Sequence, residues 1–197
     1  MAFSGILQGR EAVSPRVSVG SRAVQDAPMF RSVDQALRTL YDVLTASGAV
    51  ILNYDIPTVL STVTDKKSRY DRVAEAAWVS RVVVGTLNEA QRAWVACSYD
   101  GAGTQRTQAI EILVAASRAV HKNAALVRAL VIRNFDHGES YCLSPSTIAR
   151  DTGVSQATAW RADQRMMGMM DELGAQTIAA LSRAFESKGW LAEACGE

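Results

Sequence analysis

From Ser32 onward, apolar residues return every three or four positions. Val33, Ala36, Leu37, Leu40, Tyr41 and Leu44 fall on one side of a helix that Ser32 can open and Gly48 can stop. Residues 49–57, AVILNYDIP, form an apolar run closing on Pro57. A buried strand and a loop both fit it, and periodicity does not separate them. Helical spacing resumes from Asp71 through Val73, Ala76, Ala77, Val79, Val82 and Val83, with Gly85 near the end. Asn88 has the character of an N-cap for the next helix, which carries Ala90, Ala93, Trp94 and Cys97. The turn-rich YDGAGTQ, residues 99–105, follows. Residues 105–120 and 122–134 read as one long helix or two, with Ile110, Leu113, Val114, Ser117 and Val120 on one side and Leu126, Leu130 and Val131 continuing the face. Asp136, His137 and Gly138 break the pattern. Ser144–Asp151, Ser155–Leu173 and Ala175–Lys188 are the last helical pieces. Nothing alternates strand with helix, and nothing repeats.

The expectation is an all-α, multi-helix domain with a C-terminal helix-turn-helix and a flexible N-terminal arm. Its parts are a basic arm at 1–31, a helical body at 32–138, and the helix-turn-helix with a C-terminal helix at 139–197. The arm is rich in Gly, Ser, Pro and Arg, with Pro15 and Pro28 and with Arg10, Arg16 and Arg22 spaced six apart. It reads either as a solvated tail or as a basic arm that orders against nucleic acid or a partner.

Composition narrows the class without naming a partner. Of the residues, 48% are hydrophobic and 21% charged, which suits a globular chain. Net charge is only +1, so any basic face must be local. Lys66, Lys67, Arg69 and Arg72 form one basic cluster, with Asp65 and Asp71 the acids nearby. Cys97, Cys142 and Cys195 are far apart, which points to neither a metal site nor a disulfide framework and favours a reducing compartment. No apolar run approaches the roughly 20 residues a membrane helix needs, and the N-terminus lacks a signal-peptide core. A cytoplasmic protein with no cofactor is expected.

Residues 143–166, LSPSTIARDTGVSQATAWRADQRM, carry the functional signal. A helix-turn-helix needs a small residue on its first helix where the second crosses, and Ala149 supplies it. It needs a glycine four residues later at the turn, which is Gly153, and an apolar plug after it, which is Val154. Ser155 can cap the second helix, and Pro145 stands where its missing N–H costs little. The second helix then opens with Gln156, Ala157 and Thr158 and presents Arg161 and Arg165. In such motifs the N-terminal part of the second helix enters the major groove. There a glutamine can bond adenine through two edges, and an arginine guanine. Thr158 and Arg161 share a face. Ser144 and Ser146, at the start of the first helix, are candidate phosphate contacts, and Arg150 adds charge. Ala159 and Ala162 should point inward, with Trp160 anchoring the helix. Thr152, where an apolar residue is common, is a departure, and so is the small Ala159. An ordinary helical hairpin is the alternative.

MMGMM, residues 166–170, fits either core packing or a soft protein-binding surface. An enzyme is the weaker reading. The two histidines, His121 and His137, come with no second ligand cluster, no Ser–His–Asp order and no phosphate-cradling glycine loop.

RSVDQALR at 31–38, LNEAQRAWVACSYDG at 87–101 and a closing helix-turn-helix together resemble phage late-gene antitermination proteins of the Q type. Gln91, Trp94 and Tyr99 carry most of the resemblance, which spans residues 31–170. It implies binding of double-stranded DNA at a phage late promoter in a bacterial host cell. It further implies loading onto bacterial RNA polymerase, with contact to polymerase or its sigma factor, and suppressed pausing and termination. Lys66, Lys67, Arg69 and Arg72 then become candidate contacts for nucleic acid or polymerase. The cysteine zinc site of some members has no counterpart here. A repressor or activator without antitermination is the alternative, and a helical adaptor without DNA contact is a third reading.

Overall fold

The computed structural model describes residues 28–47, 67–100, 104–135 and 144–191. Among them all regular structure is helical: α1 (Val33–Ser47), α2 (Lys67–Thr86), α3 (Glu89–Tyr99), α4 (Thr104–Ala116), α5 (Ala124–Asn134), α6 (Pro145–Thr152) and α7 (Gln156–Glu186). The run at 49–57, the break at Asp136–Gly138 and the arm before residue 28 lie outside the described residues.

Each helix buries the stripe that its spacing demands. In α1, Val33, Ala36, Leu37, Leu40, Tyr41 and Leu44 are all buried. In α2 the buried apolar residues are Ala76, Val79, Val82 and Val83, with Ser80 buried beside them. Asn88 closes a capping box on α3: its side chain accepts from the Gln91 N–H, and the Gln91 side chain accepts from the Asn88 N–H. Arg92 reaches back to the Val84 carbonyl at 3.3 Å, tying α3 to the end of α2.

The stretch from 105 to 134 is two helices, and Asn123 explains the break. Its carboxamide oxygen accepts the Ala125 and Leu126 N–H groups at 3.0 and 3.2 Å, starting α5 afresh. Arg106 of α4 then donates to the Phe135 carbonyl at 2.7 Å, satisfying the far end of α5.

The C-terminal pieces expected at Ser155–Leu173 and Ala175–Lys188 are instead one continuous helix of 31 residues. Gly174 reads as a stop in isolation, yet here it is helical and buried against Trp94. A Cβ at that position would lie 2.5 Å from the indole, so the glycine allows close approach of α3 and α7. α7 packs against α1, α2, α3, α5 and α6, so its second half is part of the body's core.

The chain ends of the fold meet at an aromatic cluster. Gly189, at φ 68°, turns the chain after α7, and the Trp190 N–H donates to the Phe185 carbonyl at 3.0 Å. The Phe30 N–H donates to the Trp190 carbonyl at 3.0 Å, and Phe30 is buried against Phe185. Trp190 lies between Phe185 and Trp78, with ring centroids at 5.6 and 6.4 Å. The last residues assigned to the arm, 28–31, therefore include a core residue. No helix among the described residues is long and apolar enough to cross a membrane.

Candidate nucleic-acid interface

α5, α6 and the first half of α7 pack mutually. The turn between α6 and α7 is built by its own sequence. Gly153 takes φ 69°, ψ 26°, the left-handed conformation that most side chains resist. The Val154 N–H donates to the Ala149 carbonyl at 3.0 Å and the Gly153 N–H to the Arg150 carbonyl at 3.3 Å. This pair of bonds ends α6 in one step and satisfies its last carbonyls. Ala149 and Ile148 are buried, and Val154 packs against the core.

Thr152 fits where an apolar side chain was expected because its hydroxyl donates to the Ile148 carbonyl at 2.6 Å. Its own carbonyl accepts from the Asn123 side-chain amide at 3.0 Å. One carboxamide thus starts α5 and holds the end of α6. The His121 Nδ1 accepts the Asn123 N–H at 3.0 Å, fixing that residue in turn.

Both serines at the helix starts are occupied as caps. Ser144 Oγ accepts the Thr147 N–H at 3.2 Å and lies 2.9 Å from both the Ser146 and Thr147 hydroxyls. Ser155 Oγ accepts the Thr158 N–H at 3.2 Å and lies 2.8 Å from the Thr158 hydroxyl. Thr158 is half-buried, and Ser146 stays exposed.

Along α7, Ala159, Ala162, Asp163, Met166 and Met170 are buried, while Gln156, Ala157, Trp160, Arg161, Gln164, Arg165, Met167 and Gly168 are exposed. MMGMM therefore splits, with Met166 and Met170 in the core and Met167 outside it at 42% exposure. Trp160 does not anchor the helix; it is 57% exposed. At roughly 100° per residue, the inward arc runs through Ala159, Ala162 and Met166, and Trp160 falls off it. Ala157, Arg161, Gln164 and Gly168 occupy the middle of the outward side, with Trp160 toward one edge and Arg165 toward the other. The sequence reading passed over Gln164, although its spacing from Gln156 and Trp160 was the available signal.

Asp163 ties this helix to α5. It is 4% exposed, and its carboxylate accepts from the Arg133 guanidinium of α5 at 3.2 Å. That interhelical bond leaves the opposite side of α7 toward solvent.

Charge on the face is positive. Arg161 and Arg165 have no ion-pair partner among the described residues. Arg150 is exposed and meets only the exposed Asp151, at 3.2 Å. The N-terminus of α7 adds the partial positive charge of its dipole. The second basic cluster is less defined. Lys66 lies outside the described residues, Lys67 and Arg69 stand on the first turn of α2, and Arg72 is exposed.

The residues that carried the family resemblance are engaged within the fold. Gln91 closes the α3 cap, and Trp94 packs over Gly174. Tyr99 stacks on Tyr41 at 6.1 Å and donates to the Asp34 carboxylate at 3.0 Å. Asp34 also accepts from Arg38 at 2.8 Å, which holds its carboxyl below the usual range. Burial, with the bond to Asp34 behind it, raises the Tyr99 hydroxyl to about 12. Burial likewise raises the Cys97 thiol to about 12, and the side chain packs in the core.

No protein-family model, curated protein or solved structure matches this chain.

Proposed function

We propose that the chain is a sequence-specific DNA-binding protein that uses α6 and α7 as a helix-turn-helix. The observation that carries this reading is the outward face of α7. Hydrogen-bonding side chains suited to base edges, Gln156, Arg161, Gln164 and Arg165, are all exposed along the first half of α7, on a helix start held by Gly153 and the Asn123 bond. Ser146 and Arg150 flank it as phosphate contacts.

The role after binding follows from the resemblance at residues 87–101 and 31–38: transcription antitermination at a phage late promoter, by loading onto bacterial RNA polymerase. Repression or activation without antitermination is the second reading. It is favoured by the contacts within the fold that Gln91, Trp94 and Tyr99 already make.

Selection of bound duplexes from a random library tests the first step, since enrichment of one sequence is expected and uniform recovery would refute it. A template carrying the selected site beside a promoter, with an intrinsic terminator downstream, separates the two roles. Read-through supports antitermination, and reduced or increased initiation with unchanged termination supports simple regulation.

A further inference from the structure

Gln156, Trp160 and Gln164 form a single row on α7, each four residues after the last, and all three are exposed. Such a row drifts by only about 40° per step, so it makes one continuous ridge. Ala157 lies beside it, also exposed. The ridge alternates carboxamide, indole, carboxamide. Trp160, at 57% exposure, leaves a large apolar ring in water at the middle of this ridge, beside the exposed Met167.

Two properties of A·T pairs match this alternation. Adenine offers N7 and N6 to a carboxamide, and its partner thymine places a C5-methyl group in the same groove. Guanine and cytosine offer neither the amide-matched pair nor a methyl. Eight residues of helix span roughly 12 Å, which is three to four base pairs at about 3.4 Å each. Arg161 and Arg165 each stand about 100° round the helix from the ridge residue before them, on one side of the ridge, where they would meet guanine or phosphate beside that core.

Resting on the reading of α7 as a recognition helix, we propose that Gln156, Trp160 and Gln164 specify an A·T-rich core in the major groove. Trp160 is the specificity-determining residue that covers a thymine methyl group. The ring is exposed in the free protein because its partner surface belongs to the duplex. Arg161 and Arg165, which have no ion-pair partner among the described residues, stand on one side of the ridge, so its charge suits DNA and opposes a basic partner.

The test uses the duplex selected from the random library with the full chain. Each thymine in it is replaced in turn by deoxyuridine, which removes the methyl and nothing else. Wild-type affinity should fall about fourfold at one central thymine, the worth of one buried methyl group. W160A should bind the parent duplex more weakly and should lose sensitivity to that replacement, while W160F keeps part of it. Unchanged thermal unfolding of W160A separates this from misfolding. Tight, salt-sensitive binding with no response to any deoxyuridine would overturn the role of Trp160 and leave DNA recognition standing. A selected core of G·C pairs would do the same. No enrichment from the library would overturn both.

Discussion

Gly168 and Gly174 stand six residues apart on α7, and alanine should have opposite effects at the two. A Cβ at Gly168 meets nothing within 4 Å, and the residue is exposed. G168A should therefore gain the helix propensity that glycine lacks, about 0.5–1 kcal/mol. A Cβ at Gly174 would lie 2.5, 2.9 and 3.3 Å from three atoms of the Trp94 ring. Ordinary contact begins near 3.4 Å, so the rigid ring or α7 must move by about 1 Å. Overpacking of that kind costs about 1–3 kcal/mol, which outweighs the same propensity gain. The expected net loss is about 1 kcal/mol, or roughly 2–4 °C in Tm for a chain of this size. Thermal unfolding of both variants by circular dichroism reads the signs. In a W94L background the clash is relieved, and G174A should become neutral or stabilising, a coupling that a double-mutant cycle measures. Equal increases in Tm for G168A and G174A would refute the packing of α3 on α7 described above. An unchanged G174A effect in the W94L background would refute it as well.

Asn123 joins two helices with one side chain, so N123A should lower stability by about 1–3 kcal/mol in urea unfolding. N123D keeps the acceptor for α5 and loses the donor to Thr152, and should fall between the two; a loss in N123D as large as in N123A would mean the Thr152 bond dominates. Cys97 and Tyr99 have folded-state values raised to about 12 from their ordinary 9.0 and 10.0, so both favour the protonated folded form. Stability from these groups is fully present below about pH 9 and is lost as pH rises toward 12. The urea midpoint should accordingly hold up to about pH 9 and then decline, and C97A should remove the first part of that decline; an identical pH profile in C97A would exclude the thiol as its source.

The helices of the body were legible because their caps and stripes are local. Asn88 with Gln91, and Ser155 with Thr158, announce a helix start within four residues. Gly153 followed by Val154 announces a turn in two. The continuity of α7 was not legible, because a glycine reads as a stop until its neighbour across the interface is known. That neighbour is Trp94, which is distant in sequence. Phe30 was hidden for a similar reason: its burial depends on Phe185 and Trp190 at the other end of the chain. Trp160 could have been placed from the sequence. Ala159 and Ala162 share an inward arc with Met166, and a residue adjacent to Ala159 lies off it. The bulk of an indole suggested the core, while the angle pointed outward, and the angle prevailed because Asp163 and Arg133 fix how α7 is rotated. The double use of Asn123 had no local signature, since its second partner is the Thr152 carbonyl of a later helix.

The central claim is that the first half of α7 reads DNA, and the affinity of three variants for the selected duplex tests it most directly. On that claim Q156A and R161A each remove one proposed base contact and should weaken binding by about 1–3 kcal/mol, roughly 5- to 150-fold, with Tm unchanged. R183A removes another exposed arginine, from the last turn of the same helix and roughly 33 Å beyond Arg161, and should bind as the wild type does. Equal affinity of Q156A and R161A with wild type, or an equal loss in R183A, would contradict it.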